Sequence, residues 1–425
     1  MYGGDLKVAD YRFRARTQKS DFVLFPNDSS QKHISYFMAT MILCKVGIAT
    51  DPLLLSDAFS CGIIQTLLLF IGIMILLQLS IHLYTRCWFY GTAYNFPDIW
   101  VCVFGPTFQL LPILFIIIVY LTFVVYHGYE IYNYAYLFIT TRWEDPPSFL
   151  INKWFLTYVI CVLTALPCLL VKKFVSLFWI ALIGNFFTVV SFICVVVALI
   201  RSVNDVGFDP NHEIKYFTSD YSTSFKAMGL ITTAFFVHPM LDLVFSYMNN
   251  PTVGRCMSCT WLTSSISLIV HFITGLCSYL LFSNGEQENI LYNLPSSNIE
   301  VTIGQISVYI VTLTSNAIYT YFLATQVSSL IVERRNDESA PVFISGIVVI
   351  LFYVGMNFIG EKAIEVLDLI ANAAYIILVY ILPSIFYLRL YKFTQPFWSI
   401  ISILVMVIGV PVNILIIIGQ VKLLQ

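Results

Sequence analysis

Leu43-Cys44-Lys45-Val46-Gly47-Ile48-Ala49-Thr50-Asp51-Pro52 is an apolar stretch that interrupts itself. Gly47 lowers helix propensity, and Pro52 lacks the N–H that a continuous helix would donate. Lys45 and Asp51 put opposite charges beside the interruption. The same device recurs in Thr232-Thr233-Ala234-Phe235-Phe236-Val237-His238-Pro239-Met240-Leu241-Asp242. There Pro239 is the breaker, and His238 and Asp242 are the ionisable neighbours. What such interruptions mean depends on the solvent around them.

That solvent is a lipid bilayer. Of 425 residues, 59% are hydrophobic and 11% are charged, against about 25% charged in soluble domains. A mean hydropathy of +0.83 needs apolar solvent outside as well as an apolar core. Runs long enough to cross a bilayer recur at roughly 34–57, 61–84, 101–138, 151–170, 174–200, 225–248, 259–283, 301–332, 342–358, 363–388 and 397–421. The pattern predicts an all-α polytopic membrane protein of about 11 transmembrane helices, with the third run extending beyond the bilayer. Continuous runs such as 67–77 and 403–410 exclude the alternating pattern of a membrane β-barrel. The polar N-terminal arm, 1–32, is too small to fold alone, so 33–425 is expected to be one transmembrane domain. The arm lacks the short apolar core of a cleavable signal peptide.

Lysines and arginines set the expected orientation. With the arm in the cytoplasm, the inner side receives Lys7, Arg12, Arg14, Arg16, Lys19 and Lys32, then Arg86, Lys172, Lys173, Arg255, Arg334, Arg335, Arg389 and Lys392. The outer side receives the smaller set Arg142, Lys153, Arg201, Lys215, Lys362 and Lys422. The N-terminus is therefore expected inside, and the sequon Asn27-Asp28-Ser29 unglycosylated.

Several function classes drop out. A net charge of -2 offers no basic surface for nucleic acid. The cysteines lie mostly inside apolar runs and read as small hydrophobes. Cys256 and Cys259 form a C-x-x-C without a second ligand pair, so neither a metal nor a cofactor is expected. No P-loop, H-E-x-x-H, G-x-S-x-G or G-x-G-x-x-G is present, and no catalytic constellation stands out.

The two interruptions lie five spans apart. That is the spacing of a five-plus-five inverted repeat with one added helix, and transporters bind substrate at such paired breaks near the bilayer midplane. The substrate is expected at Val46, Gly47, Ile48 and Ala49 on one side and Thr233, Ala234, Phe235 and His238 on the other. Kinks without a site are the alternative, since prolines are tolerated in membrane helices.

Residues on both sides of the second break resemble a known family. Ala234-Phe235-Phe236-Val237-His238-Pro239 followed by Asn249-Asn250-Pro251-Thr252 looks like the sixth helix and following loop of the amino acid/auxin permease family, the transmembrane amino acid transporters. Ser278-Tyr279-Leu280-Leu281-Phe282 with Asn289-Ile290-Leu291-Tyr292-Asn293, and Leu166-Pro167-Cys168-Leu169-Leu170 with Ser176-Leu177, are similar to further motifs of that family, in the same order. The resemblance implies a leucine-transporter-type fold and coupled transport of amino acids, with exposed backbone at Gly47, Ile48 and Ala49 binding the carboxylate and amine. The departure is Lys45, which stands where the family's G-x-G-I-L-x-x-P pattern has its first glycine.

Lys45 is expected to supply a fixed charge where sodium-coupled members of this fold hold a cation, with Asp51, the span-8 hydroxyls or freed carbonyls as acceptors. The alternative is that it snorkels to a water-filled vestibule. Thr312, Thr314 and Ser315 either serve a cation or bond their own backbone. Tyr126, His127 and Glu130 face either the pathway or the outer interface. Glu365 and Asp368 are read as complementing a helix N-terminus. His82 and His271 are read as interface or packing histidines.

The expected function is therefore secondary active transport of an amino acid, coupled to protons (or sodium), by alternating access in a plasma or vacuolar/lysosomal membrane. No enzyme activity is expected. A transport-inactive sensor or scaffold of the same fold and a membrane-embedded enzyme using His238 are the alternatives.

Overall fold

The computed structural model describes residues 34–49, 55–90, 95–170, 174–205, 214–281, 291, 294, 297–331, 339–359 and 361–423. The first span forms as α1 (Tyr36–Ile48), opened by Ser35, whose hydroxyl accepts the Met38 N–H at 3.2 Å. Ala49, at φ 37°, turns the chain out of the helix. The chain is next described as a 3-10 turn, Leu55–Cys61. The helix is therefore broken where Gly47 and Pro52 place the break, although Thr50, Asp51 and Pro52 lie outside the described residues. The arm 1–32 lies outside them too.

Gly62 then reverses the chain at φ 103°, where a Cβ would run into the Tyr216 and Phe217 backbone. It leads into α2 (Ile63–Tyr90). The run expected as one long third helix is instead two, α3 (Phe96–Phe104) and α4 (Leu111–Thr140). Gly105 at φ 88° and the following Pro106 end α3. Apolar content alone had hidden that turn. Next come α5 (Lys153–Leu170) and α6 (Leu177–Asp205).

The sixth span is broken as expected, into α7 (Tyr221–Thr233), a 3-10 turn (His238–Met240) and α8 (Leu241–Tyr247). Then follow α9 (Val253–Leu281), α10 (Ile299–Ile331), α11 (Ser339–Ile359) and α12 (Glu361–Ile376). A π-helical turn (Ile377–Ile381), α13 (Leu382–Tyr391) and α14 (Pro396–Leu423) close the chain. Among the described residues, 8 helices are long and apolar enough to cross a membrane, with Tyr36–Ile48 and Val342–Leu351 shorter. By that measure the eleven spans expected are not all reached.

The outer surface is that of a membrane protein. On α2, Ile64, Leu68, Ile71 and Ile75 form one exposed stripe at helical spacing, while Phe70, Leu77 and Ile81 face inward. In water such stripes would be unstable patches, whereas lipid solvates them. The interior carries the polar groups, with Gln78, Thr260 and Ser264 joined across α2 and α9. The described parts of the two broken spans are tied at both ends. At one end the Ile34 N–H donates to the Tyr247 carbonyl at 3.3 Å and the Asn249 N–H to the Ile34 carbonyl at 2.9 Å, and at the other Lys226 pairs with Asp57 at 2.9 Å.

Asp220 caps α7. The Thr223 hydroxyl, first, and then the Ser222 N–H hold its carboxyl below the usual range. A depressed carboxyl stabilises the fold above its unfolded pKa and loses that contribution as pH falls through the folded value. Asp220→Ala should therefore speed amide exchange in 221–224 at pH 7. The native chain and the variant should converge once acid protonates Asp220, as hydrogen-exchange mass spectrometry at matched pH would read.

Candidate functional site: the paired helix breaks

Breaking a helix frees carbonyls, and a bilayer interior has no water to satisfy them. Pro239 cannot donate to the Phe235 carbonyl four residues back. The chain tightens after α7, with Ala234, Phe235 and Phe236 N–H groups bonding carbonyls three residues behind, at 3.2, 3.4 and 3.2 Å. The two breaks touch. A Cβ on Gly47 would stand 3.3 Å from Val237 Cγ1 and 3.8 Å from Thr263 Cγ2.

Side chains from two other helices complete the freed groups. The Ser267 hydroxyl of α9 lies 2.7 Å from the Ala234 carbonyl and 3.4 Å from the Gly47 carbonyl, so one hydroxyl spans both breaks. His271, one turn on, places Nδ1 3.0 Å from that hydroxyl and 2.7 Å from the Ser267 carbonyl. The Tyr319 hydroxyl of α10 donates to the Val46 carbonyl at 2.9 Å. Behind it the aromatic rings are continuous. Tyr319 stacks on Phe123 at 5.0 Å and packs on His127 at 5.1 Å, while Phe123 reaches Phe236 at 5.2 Å.

Lys45 is fully buried. It leaves the last turn of α1 and crosses toward α6 and α10, where its ammonium donates to Ser315 Oγ at 2.6 Å. Gly184 on α6 makes the crossing possible, because a Cβ there would overlap Lys45 Cδ and Cε and Thr314 Oγ1. Beside it, Asn185 Nδ2 donates to the Met41 carbonyl at 2.8 Å and fixes α6 against α1. A buried ammonium is costly unless it finds acceptors, and this one is inside, not snorkelling.

The other candidates divide. Val46, Ile48, Ala49, Ala234 and Phe235 are buried at the breaks, and Thr233 is exposed at the end of α7. Ser315 meets the lysine, whereas Thr312 and Thr314 bond their own backbone carbonyls at 2.9 Å. Asp51 lies outside the described residues. His127 and Glu130 are interior groups, with Tyr134 donating to Glu130 at 3.1 Å. His82 stacks on Trp398 at 4.1 Å.

His238 turns toward α2. Its Nε2 lies 3.2 Å from Ser80 Oγ. Ser80 in turn donates to the Val379 carbonyl in the π turn, a group that Pro383 four residues on cannot serve. Ser80 thus accepts from His238, which fixes the Nε2–H tautomer by the bond pattern.

Ser267, Tyr319 and Gly184 were not singled out in the sequence. An isolated glycine within an apolar helix is the one signal that pointed to any of them.

Paired broken helices enclosed by continuous ones, with polar side chains completing the freed backbone, define the architecture of a secondary transporter. Two solved structures share the overall fold. The L-phenylalanine complex of MhsT superposes with a TM-score of 0.55 at 14% identity, over 90% of this chain and 98% of that one. Mhp1, a nucleobase-cation-symport-1 family transporter in a closed conformation with bromovinylhydantoin bound, gives 0.56 at 12% identity, over 92% and 94%. These likenesses show the leucine-transporter-type fold. Residues 32–422 match the model of the transmembrane amino acid transporter protein family, and the chain belongs to that family. The sodium-coupled neutral amino acid transporter 7 of Xenopus laevis is 25% identical over 186 residues, 43% of this chain and 39% of that protein.

Two outcomes follow. Ser267→Ala strands a buried carbonyl, at a cost of about 1 kcal/mol for a polar contact between membrane helices. It should lower Tm in detergent by a few degrees, and Ser267→Thr should restore it. His238→Gln keeps an N–H for Ser80, so its Tm should stay near native while His238→Leu falls; equal losses would contradict the Ser80 bond.

Proposed function

We propose that this protein is a secondary active transporter of amino acids, working by alternating access around the breaks at 46–49 and 233–238, and coupled to protons. Family membership supports amino acid transport. The observation that carries the coupling is the Lys45 ammonium, held on Ser315 between α1, α6 and α10 beside the first break. A fixed positive charge there takes the place that a coupling cation would need. The ammonium is carried on α1 and its acceptor on α10, so a displacement of α1 would change that contact. The N-terminal arm belongs on the cytoplasmic side in this reading, in a plasma or vacuolar/lysosomal membrane.

A sensor of the same fold is the second reading. The Val46 and Gly47 carbonyls already hold Tyr319 and Ser267 as partners, which favours a chain that binds without cycling. Uptake of a panel of amino acids into proteoliposomes separates the two, since binding without uptake is the sensor's signature.

Uptake by the native chain should be equal in sodium and in choline media and should rise with an inward proton gradient. Lys45→Gly should lose at least tenfold of the pH-driven rate. Strict sodium dependence of the native chain would end the coupling proposal.

A further inference from the structure

One face of α9 carries a file of buried polar residues: Thr260, Ser264, Ser267, His271, Thr274 and Ser278. Steps of three and four residues stack them along one side of the helix. Thr260 and Ser264 are engaged with Gln78 of α2. Ser267 serves the carbonyls of both breaks. His271, read from the sequence as a packing group, comes next and is fully buried.

The imidazole is half used. Its Nδ1 lies 2.7 Å from the Ser267 carbonyl, which can only accept, so the bond pattern puts the proton on Nδ1 and leaves a lone pair on Nε2. Nε2 is buried and has no hydrogen-bond partner among the described residues. The Thr274 hydroxyl, one turn on along the same face, is buried and has none either. The other two buried histidines are placed differently. His127 Nδ1 bonds its own helix at the Phe123 carbonyl at 2.9 Å, and His238 is tied through Ser80 to the π turn. His271 reaches both breaks through a single hydroxyl, with Ser267 Oγ 3.0 Å from Nδ1.

α9 packs on α1, α2, α6 and the 3-10 turn Leu55–Cys61. The titratable groups these elements bring toward His271 have other partners or other positions. On α1, Lys45 donates to Ser315 and Cys44 to Thr263. In the 3-10 turn, Asp57 pairs with Lys226 of α7, and Cys61 donates to the Ala58 carbonyl. α6 has Cys194 within its span, and Arg201, paired with Glu300, and Asp205 at its end. α2 has no titratable residue from Ile63 to Leu77. On α9 itself the neighbours are Cys277 and Tyr279, whose hydroxyl accepts the Lys215 N–H at 3.1 Å.

We propose that His271 takes up the coupling proton on Nε2, and that the carboxylate of the bound amino acid holds it there. The proposal rests on the transport reading above and supplies its titrating group. A proton from water adds to the Nε2 lone pair and imidazole becomes imidazolium. No bond within the protein breaks, and the same nitrogen returns the proton to water on the other side. The Thr274 hydroxyl accepts the new N–H. A buried cation is costly unless it is paired, and a carboxylate lying at the breaks, one hydroxyl away, is its counter-charge. Proton and amino acid then strengthen each other's binding by the same factor.

The test uses alanine, leucine and glutamine as probes, with affinity read by titration of the purified full chain and transport by uptake into proteoliposomes. For whichever probe binds, the affinity of the native chain should rise about tenfold from about pH 8 to about pH 5.5, the range in which a histidine changes charge. His271→Asn keeps an N–H for the Ser267 carbonyl and cannot titrate. Its affinity should be flat across that range, and its uptake under an inward proton gradient should fall to the rate without one, while exchange of internal for external amino acid continues. Thr274→Val removes a hydroxyl that the neutral form does not use, so it should fold as the native chain does. Its affinity should rise only at a pH lower by about half a unit. A native pH profile in His271→Asn, or in Thr274→Val should the first variant not fold, overturns the proposal and leaves transport standing. A native affinity that does not change with pH overturns it as well. If none of the three probes binds, the amino acid reading fails, and this inference with it.

Discussion

The Ser267 hydroxyl sits between two carbonyls that unbroken helices would have kept for themselves, Ala234 and Gly47. In a bilayer interior an unsatisfied backbone group is costly, because no water is there to receive it. A broken helix is stable there only when neighbours supply donors. Ser267 from α9 and Tyr319 from α10 do so from opposite helices. The breaks are thus held open by the scaffold that surrounds them, and unwound backbone is kept near the centre of the bundle, where a small zwitterion could use it.

Lys45 belongs to the same logic. Gly184 leaves space for its stem, and Ser315 receives its ammonium. Three helices are therefore matched to one side chain. Any shift of α1 relative to α6 and α10 changes the environment of that charge. The position of α1 and the contacts of that charge are linked by geometry.

Both breaks were legible in the sequence because Gly47, Pro52 and Pro239 act locally, whatever surrounds them. Lys45 was legible because a charge in an apolar run must be explained. Ser267 and Tyr319 were not, since their roles depend on which helix faces which, and many serines and tyrosines in this chain read alike. The long third run shows the opposite failure. Gly105-Pro106 is a turn signal in its own right, but hydropathy carried across it, and α3 and α4 were read as one. Asp368 was assigned to a helix start that lies two turns earlier, so its place in a cavity emerged only with the helix bounds.

An experimental structure of the full chain with a bound amino acid tests the paired breaks most directly. The α-carboxylate and α-amine should lie between the backbone of 47–49 and that of 233–236, with Ser267 and Tyr319 at the edge of the density. An amino acid bound away from both breaks, or a continuous helix through Pro239, would contradict the site.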